Sequence, residues 1–322
     1  SGRLAEAADA ARAAEAEALR RGFDQHFLAV DYRRALAGLA LEQRDLDTAE
    51  QLTEQVLSIS ERRRPPFEFL ALLDRATIWA TRGQRRDALA AIEAARLALP
   101  GAGPELRARA DELEALVRLA HGDPSTPAKL ADGLPAARRG LLLARIALAA
   151  GDHHAAQDHL RVPPGEPTER RALIRQILLA AAAIERDDPM MASAVAGVLH
   201  AARVNGFLNT VVTTAPQVTS YLIEHAPQLR PDPFTGQLIA AALQARAIAL
   251  DGGSPGRGLT EPLTAAELRI LKLLPTSTYL QIAETLYISR NTVKVHVRSV
   301  YQKLGVASRA QAIERAVDLS LL

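Results

Sequence analysis

Residues 281–298 read QIAETLYISRNTVKVHVR, and this stretch decides the fold around it. Ile282 and Leu286 recur at the spacing of one helical face, and Val293 and Val297 do the same after a short polar turn. We therefore predict two short helices that meet across a tight turn, with their apolar residues facing inward and a basic face on the second helix. This is the sequence pattern of a helix-turn-helix.

A further helix is predicted on the N-terminal side of this motif. Residues 264–267 (Thr-Ala-Ala-Glu) form a capping box, in which the glutamate can reach back to the cap. Leu268, Leu271 and Leu274 follow at helical spacing, and Pro275 ends the helix because proline cannot continue it. The module thus has an apolar layer before the helix-turn-helix.

Signals on both sides of the second motif helix complete a four-helix module. Residues 278–281 (Thr-Tyr-Leu-Gln) form a second box-like helix start, and Gly305 suits the left-handed position that follows a helix end. A fourth helix is predicted from Ser308, with Ile313 and Ala316 packed underneath.

The charge of this module differs from that of the remaining chain. No acidic residue occurs between Glu284 and Glu314, and residues 259–322 contain eight Lys and Arg against five Asp and Glu, in a chain of net charge +2. The acid-free stretch should attract phosphate. Its basic residues are Arg290, Lys294, Arg298, Lys303 and Arg309.

Four ordered motifs carry a family resemblance. They are LTxxE at 263–267, IA at 282–283, SxxTVKxH at 289–296 and KLGVxxR at 303–309. Together they resemble the LuxR/GerE-type helix-turn-helix of bacterial transcription regulators, over roughly the last sixty residues. The resemblance implies that the helix from about Arg290 to Leu304 enters the major groove of DNA.

The resemblance also implies the residues that contact DNA, with base and phosphate roles left open. Lys294, Val295 and Arg298 would meet base edges or nearby phosphates, Asn291, Thr292 and Lys303 would hold the backbone, and Arg290 and Thr278 complete the set.

Two departures from the family pattern fall near the second helix. The family often has a glycine in the preceding turn and a glutamate before Ile-Ala, where this chain has residues 275–278 (Pro-Thr-Ser-Thr) and Gln281. Leu280 also occupies a position that is usually polar. These changes bear on the backbone contacts of the second helix and leave the recognition helix whole.

The rest of the chain reads as Ala- and Leu-rich amphipathic helix. The chain has no cysteine, which excludes disulfides, thiol catalysis and Cys-zinc sites. No apolar run approaches the roughly 20 residues that span a bilayer, so we expect a cytoplasmic protein without a membrane partner. The high Ala and Arg content and the low Lys content are typical of a GC-rich bacterial genome. Ser1-Gly2 in place of methionine is typical of a cut fragment and leaves room for an upstream domain.

Helix-breaking turns recur at roughly 29–39 residues, which is typical of an α-solenoid of helix pairs. They lie at 44–46, 82–84, 121–123, 151–152 and 187–188.

One unit has the small–aromatic–turn–small–small–proline order of a tetratricopeptide repeat (TPR). Small residues are needed where two helices touch closely. The residues of this unit are Ala76, Trp79, Gly83, Ala88, Ala95 and Pro100.

We therefore predict an all-α chain in which a TPR-like α-solenoid precedes a four-helix LuxR-type domain. The predicted domains are a repeat domain at 1–250, a linker at 251–258 rich in Gly and Ser, and the DNA-binding domain at 259–322. Residues 204–233, which are richer in Thr, Val and Pro, are predicted to form an irregular end cap.

The tandem arrangement resembles the end of the large ATP-binding LuxR-family regulators of the maltose-activator type. That resemblance implies an upstream ATPase switch and repeats that sense a small molecule or protein. No Gly-x-x-x-x-Gly-Lys-Ser/Thr phosphate loop occurs, so we predict no cofactor in this chain, and ATP only through an upstream domain.

The leading hypothesis is a DNA-binding transcription regulator that binds double-stranded DNA as a homodimer and is not an enzyme. Its other partners would be an effector on the repeats and RNA polymerase. Two alternatives stay open: a TPR-like interaction scaffold with a vestigial helix-turn-helix, and a fragment of a signal-regulated ATPase switch. We predict no catalytic set and no metal site. His153, His154 and His159 lie beside a repeat turn without supporting carboxylates.

Overall fold

The computed structural model describes residues 4–23, 26, 29–60, 65–161, 168–229, 232–253, 265–275, 277–286, 290–304, 306, 309, 312–313 and 316. Its described elements are helical, which confirms the predicted all-α class. They form two compact units, Ser1–Arg246 and Ala247–Leu322.

The first unit contains most of the helices. They are α1 (Leu4–Arg20), α2 (Ala29–Glu42), α3 (Leu46–Ser60), α4 (Pro65–Thr81), α5 (Arg85–Ala98), α6 (Pro104–Leu119), α7 (Ser125–Ala131), α8 (Ala136–Ala149), α9 (His153–Arg161), α10 (Glu169–Glu185), α11 (Met191–Asn205), α12 (Leu208–Thr214), α13 (Pro216–Glu224), a 3-10 turn (Ala226–Gln228) and α14 (Pro233–Gly253), which crosses into the second unit.

Consecutive helices from α1 to α11 pack against one another, and α2, α4, α6, α8 and α10 also make contacts within their own layer. Such contacts between near neighbours are those of a helix-pair array. The arrangement is consistent with the predicted solenoid, whose TPR-like character stays a prediction.

The turns of the array share one backbone solution. A residue of positive φ follows the helix, and the next N–H bonds to the carbonyl five residues earlier, as Gln84 does to Trp79 at 2.8 Å. This closing pattern satisfies carbonyls at the helix end. Glycine supplies the left-handed residue at most of these turns, whereas Arg44 (φ 61°) and Asp187 (φ 51°) do so with a side chain.

The α4–α5 unit shows why small residues stand at the predicted positions. Ala76, Ala88 and Ala95 are completely buried, so any larger side chain would push the two helices apart. Trp79 packs at the edge of this core and donates its indole N–H to Glu50 at 3.0 Å. It therefore has a structural role in the repeat.

The prediction of an irregular end cap at 204–233 is wrong for most of that segment. Residues 208–224 form α12 and α13, and α12 packs against α10 and against α2 at the beginning of the array. Thr and Val have low intrinsic helix propensity, but tertiary burial overrides a weak local preference.

The predicted linker also differs at its start. Helix α14 continues to Gly253, so the first three residues of 251–258 are helical, and residues 254–258 lie outside the described residues. No helix of the described chain has both the length and the apolar character needed to cross a membrane.

Candidate nucleic-acid interface

The second unit contains three described helices around one apolar core. They are α15 (Ala265–Leu273), α16 (Tyr279–Leu286) and α17 (Arg290–Leu304). Both α15 and α16 pack against α17. Helical residues continue at 309, 312, 313 and 316, within the predicted fourth helix, and Ala312 and Ala316 are buried in the same core.

The N-terminus of α16 is capped as the sequence predicts. The amide and hydroxyl of Thr278 donate to Oε1 of Gln281 at 2.8 and 3.0 Å, and the Gln281 amide donates back to the Thr278 hydroxyl at 3.4 Å. This reciprocal box satisfies two amides at the helix start. Gln281, one of the departures from the family pattern, is therefore the capping partner of Thr278, while Leu280 is exposed.

Helix α17 turns one apolar stripe toward α15 and α16. Val293, Val297 and Val300 are buried at spacings of four and three residues, and they fix the rotation of the helix. Arg290 and Lys294 are exposed one turn apart. Two cations of the predicted site therefore stand on a helix that is held from its other side by a packed core.

The other predicted site residues on α17 have a described backbone only. Their positions lie within the helix, and their side chains lie outside the described residues. They are Asn291, Thr292, Val295, Arg298 and Lys303.

The buried carboxylate of Glu267 joins α15 to α17. Ser299 donates its hydroxyl to Oε1 of Glu267 at 2.7 Å, and Glu267 is 4% exposed. The sequence predicts that Glu267 reaches back to cap its own helix, but Thr264 lies outside the described residues. The bond to Ser299 is a second role that the capping pattern does not reveal.

The prediction that Arg309 contributes to the basic face needs correction. Its guanidinium donates to the carbonyl oxygens of Leu274 and Ser277, the latter at 2.9 Å, beyond the C-terminus of α15. The Leu274 carbonyl directly follows α15, where a cation interacts favourably with the negative end of the helix dipole. Arg309 therefore belongs to the internal structure of the module, although its charge was counted with the phosphate-attracting residues.

Two tyrosines form a further contact between α16 and α17. The hydroxyl oxygens of Tyr279 and Tyr301 lie 3.4 Å apart. Burial raises the pKa of Tyr301, and the Tyr279 hydroxyl raises it further. Tyr301 therefore stays protonated, and it orients the two helices without adding charge.

Sequence reasoning missed the three contacts that lock this module. The partners of Glu267, Arg309 and Tyr279 lie between 22 and 35 residues away along the chain. The sequence contained one signal, a polar residue within an otherwise apolar helix pattern. Such a residue is expected to need a hydrogen-bond partner, but the pattern does not identify that partner. Among the described residues, no group of three or more His, Asp or Glu could hold a metal ion.

The geometry agrees with comparisons to known proteins. Residues 261–316 match the family model of bacterial regulatory proteins of the luxR family. A probable transcriptional regulatory protein, SgaR of Hyphomicrobium methylovorum, is 48% identical over 61 residues. The HTH-type transcriptional regulators MalT of Serratia proteamaculans (strain 568) and of Yersinia pestis (strain Pestoides F) are each 43% identical over 61 residues.

The similarity to these relatives spans part of each chain. It covers 19% of this chain, 29% of SgaR and 7% of each MalT protein. No solved structure gives a significant match. The matched residues contain α15, α16 and α17, whose packing is that of a helix-turn-helix. The C-terminal domain of this chain therefore belongs to the luxR family of bacterial regulatory proteins.

Proposed function

We propose that this chain is a DNA-binding transcription regulator whose helix α17 enters the major groove. One observation carries the proposal: α17 is docked through a buried valine stripe and leaves Arg290 and Lys294 exposed, within a luxR-family domain. Exposed cations on a rigid helix can approach DNA phosphates and base edges without repacking the domain.

Within the groove, the predicted site residues divide into two groups by role. Lys294, Val295 and Arg298 would meet base edges or adjacent phosphates. The residues that would hold the DNA backbone are Arg290, Asn291, Thr292, Lys303 and, at the start of α16, Thr278. Backbone contacts set the register of the domain, and base contacts give sequence preference.

The protein would bind DNA as a homodimer. One module of this size makes too few contacts for tight specific binding, whereas two modules on paired half-sites combine their free energies. Contact with RNA polymerase would then follow from the position of the dimer on a promoter.

The repeats, at 1–250 in the predicted division, would receive the signal from a small molecule or a protein. The segment 251–258 would connect them to the DNA-binding domain at 259–322. An ATP-dependent switch would require residues outside this chain.

The direct test is selection of bound duplexes from a random pool at two salt concentrations. We expect enrichment of a two-fold symmetric motif and a steep loss of affinity with salt, because each neutralised phosphate contributes a slope of about 0.9. Unselective binding by both the whole chain and residues 259–322 would overturn the proposal. Selective binding by the shorter piece alone would mean that the repeats mask the domain.

Single variants assign the interface to α17. Lys294→Ala and Arg298→Ala should relax or abolish selection, whereas Lys303→Ala should weaken all sequences about equally and lower the salt slope by about one. Lys272→Ala is the matched control because Lys272 is exposed on α15 of the same domain. A Lys294/Arg298 double variant that binds and selects like the unchanged chain would refute the assignment.

A further inference from the structure

Helix α12 is a short helix buried on nearly every side. Six of its residues are buried, and three of these are polar, so hydrogen-bond partners for them must come from the surrounding helices. The buried residues are Leu208, Asn209, Thr210, Val211, Val212 and Thr214.

One side of α12 is held by a carboxylate and a guanidinium. The amide and hydroxyl of Thr210 donate to Glu42 at 3.0 and 2.7 Å. Arg170 on α10 donates its Nε–H to the Thr210 hydroxyl at 3.0 Å, and its Nε lies 3.4 Å from the same Glu42 carboxylate. The charge of Glu42 is thus shared between two donors of Thr210 and one cation.

A second guanidinium reaches the same side of α12. Arg145 on α8 donates Nη2–H to the Thr214 hydroxyl at 3.3 Å. Thr214 in turn donates to the carbonyl of Thr210 at 2.6 Å. Since residues four apart share a helix face, Arg145 and Arg170 approach α12 from the same side, with no carboxylate ion-paired to Arg145 among the described residues.

Within the part of the chain that the structure describes, the guanidinium of Arg145 has an unpaired hydrogen-bond donor. Its Nε is shut off from solvent and has no hydrogen-bond acceptor among the described residues. Burial lowers the pKa of Arg145 to about 10, the Glu112 carboxylate opposes this shift, and the nearby Arg170 adds to it. The group stays protonated at neutral pH, so a positive charge is held in an environment that disfavours it.

The carboxylate that opposes the pKa shift of Arg145 is itself ion-paired with another arginine. Arg44 donates to Asn209 at 2.9 Å on another side of α12, and its Nε and Nη2 are also buried without a described acceptor. Glu112 accepts a hydrogen bond from Arg138 at 2.5 Å. Among the described residues, the arginines in contact with α12 therefore outnumber the carboxylates in contact with it.

We propose that Arg145 and Arg170 bind a compact oxyanion, the phosphate or carboxylate group of a small molecule. Guanidinium groups suit both anions because their N–H groups form a planar fork. The side chain of Arg170 is 51% exposed and is reached from solvent, while the Nε of Arg145 is buried. The proposal adds the chemical class of the effector to the proposed function. The role of this site in sensing rests on that proposed function.

Binding can be measured without DNA. Inorganic phosphate is titrated into the 322-residue chain at ionic strength held constant with KCl, and the unfolding temperature is followed; succinate replaces phosphate in a second arm. We expect saturable stabilisation in at least one arm, by about 3–6 °C at ten times Kd. The arm that binds at lower concentration identifies the group. A shift no larger than that given by KCl in both arms would overturn the site.

Variants separate the site from general charge. Arg145→Gln and Arg170→Gln should abolish the shift, and Arg139→Gln and Arg171→Gln, on the same two helices, should retain it. An equal shift in all four variants would refute the proposal. If Arg145→Gln does not fold, Arg170→Gln decides, because its side chain is half exposed.

A sign reversal distinguishes a ligand-binding arginine from a structural one. In chloride, Arg145→Met should unfold at the same temperature as the unchanged chain or higher, because it removes a charge that its surroundings disfavour. In saturating anion the unchanged chain should be the more stable. Equal destabilisation of Arg145→Met in both buffers would show a structural role and contradict the site.

The link to regulation is tested separately with the selected duplex. Anion binding that alters DNA affinity, with the change lost in Arg170→Gln, would support the sensing role. Anion binding without any change in DNA affinity would refute that role and leave the site intact, whereas absence of DNA binding would overturn the proposed function alone.

Discussion

Ser299 and Glu267 connect helix α17 to α15 through a 2.7 Å hydrogen bond, and the accepting carboxylate is almost fully buried. A buried carboxylate is costly unless it is hydrogen-bonded. The pair therefore fixes the position of α17 from within the domain, on elements that do not themselves have to touch DNA.

Removing this bond should loosen the domain. Ser299→Ala is expected to lower the free energy of unfolding of the domain by about 1.5–3 kcal/mol, since hydrogen bonds to charged groups contribute in that range. Amide hydrogen exchange in α15 and α17 measures the effect. Glu267→Gln keeps an acceptor and should lose less than Glu267→Ala. Unchanged exchange in both helices after Ser299→Ala would contradict the role.

Arg309→Ala should reduce stability without changing the electrostatics of DNA binding. Its guanidinium bonds to the carbonyls of Leu274 and Ser277, so we expect a loss of about 1.5–3 kcal/mol in the unfolding free energy of the domain. The salt slope of DNA affinity, measured well below the unfolding temperature, should stay unchanged. A slope reduced by about 0.9 would instead assign Arg309 to a phosphate.

Substitutions at two of the left-handed turns should change the free energy of unfolding in opposite directions. Asp187→Gly should stabilise the repeat unit by about 0.5–1 kcal/mol, because Asp187 is exposed and occupies φ 51°, where a Cβ is strained. Gly83→Ala, at φ 77°, should destabilise it by about 1 kcal/mol. Urea unfolding followed by Trp79 fluorescence measures both. Changes of the same sign would refute the shared turn geometry.

The stability of the first unit should fall in acid because of Asp123. Hydrogen bonds from Ser125, and then from Thr126, lower the pKa of the Asp123 carboxyl to about 2 from 3.8. Because the folded-state pKa is the lower one, the stabilisation is complete above the unfolded pKa and is lost as pH falls from about 4 to about 2.

The variant Asp123→Asn isolates this effect. The difference in urea midpoint between the unchanged chain and Asp123→Asn should be largest near pH 5 and should close by about pH 2. Asp132→Asn, at an exposed position after α7, serves as the control. A difference that stays constant over this interval would show that the carboxyl charge of Asp123 contributes nothing.

Local rules predicted the parts of the fold that depend on neighbours in sequence. The turn at Gly83, the box at Thr278 and Gln281 and the stripe of Val293 and Val297 all follow from spacing within one or two helical turns. These features need no knowledge of which helix packs against which.

The remaining features depend on partners that spacing does not encode. Arg309 carries a charge that a sequence count assigns to the DNA face, yet its partners are backbone carbonyls of another helix. Thr210 belongs to a segment of poor helix formers, and burial against α2 and α10 makes it helical. In both cases the tertiary environment outweighs the local preference.

The return of α12 to α2 changes how the repeat unit should respond to damage. In an open array each repeat touches only its neighbours, so one end can melt while the other persists. Here Thr210 and Glu42, 168 positions apart, share two hydrogen bonds. Closing so large a loop has a high entropic cost. Truncation at either end should therefore lower the cooperativity of the whole unit, and a lesion in α2 should be felt in α12.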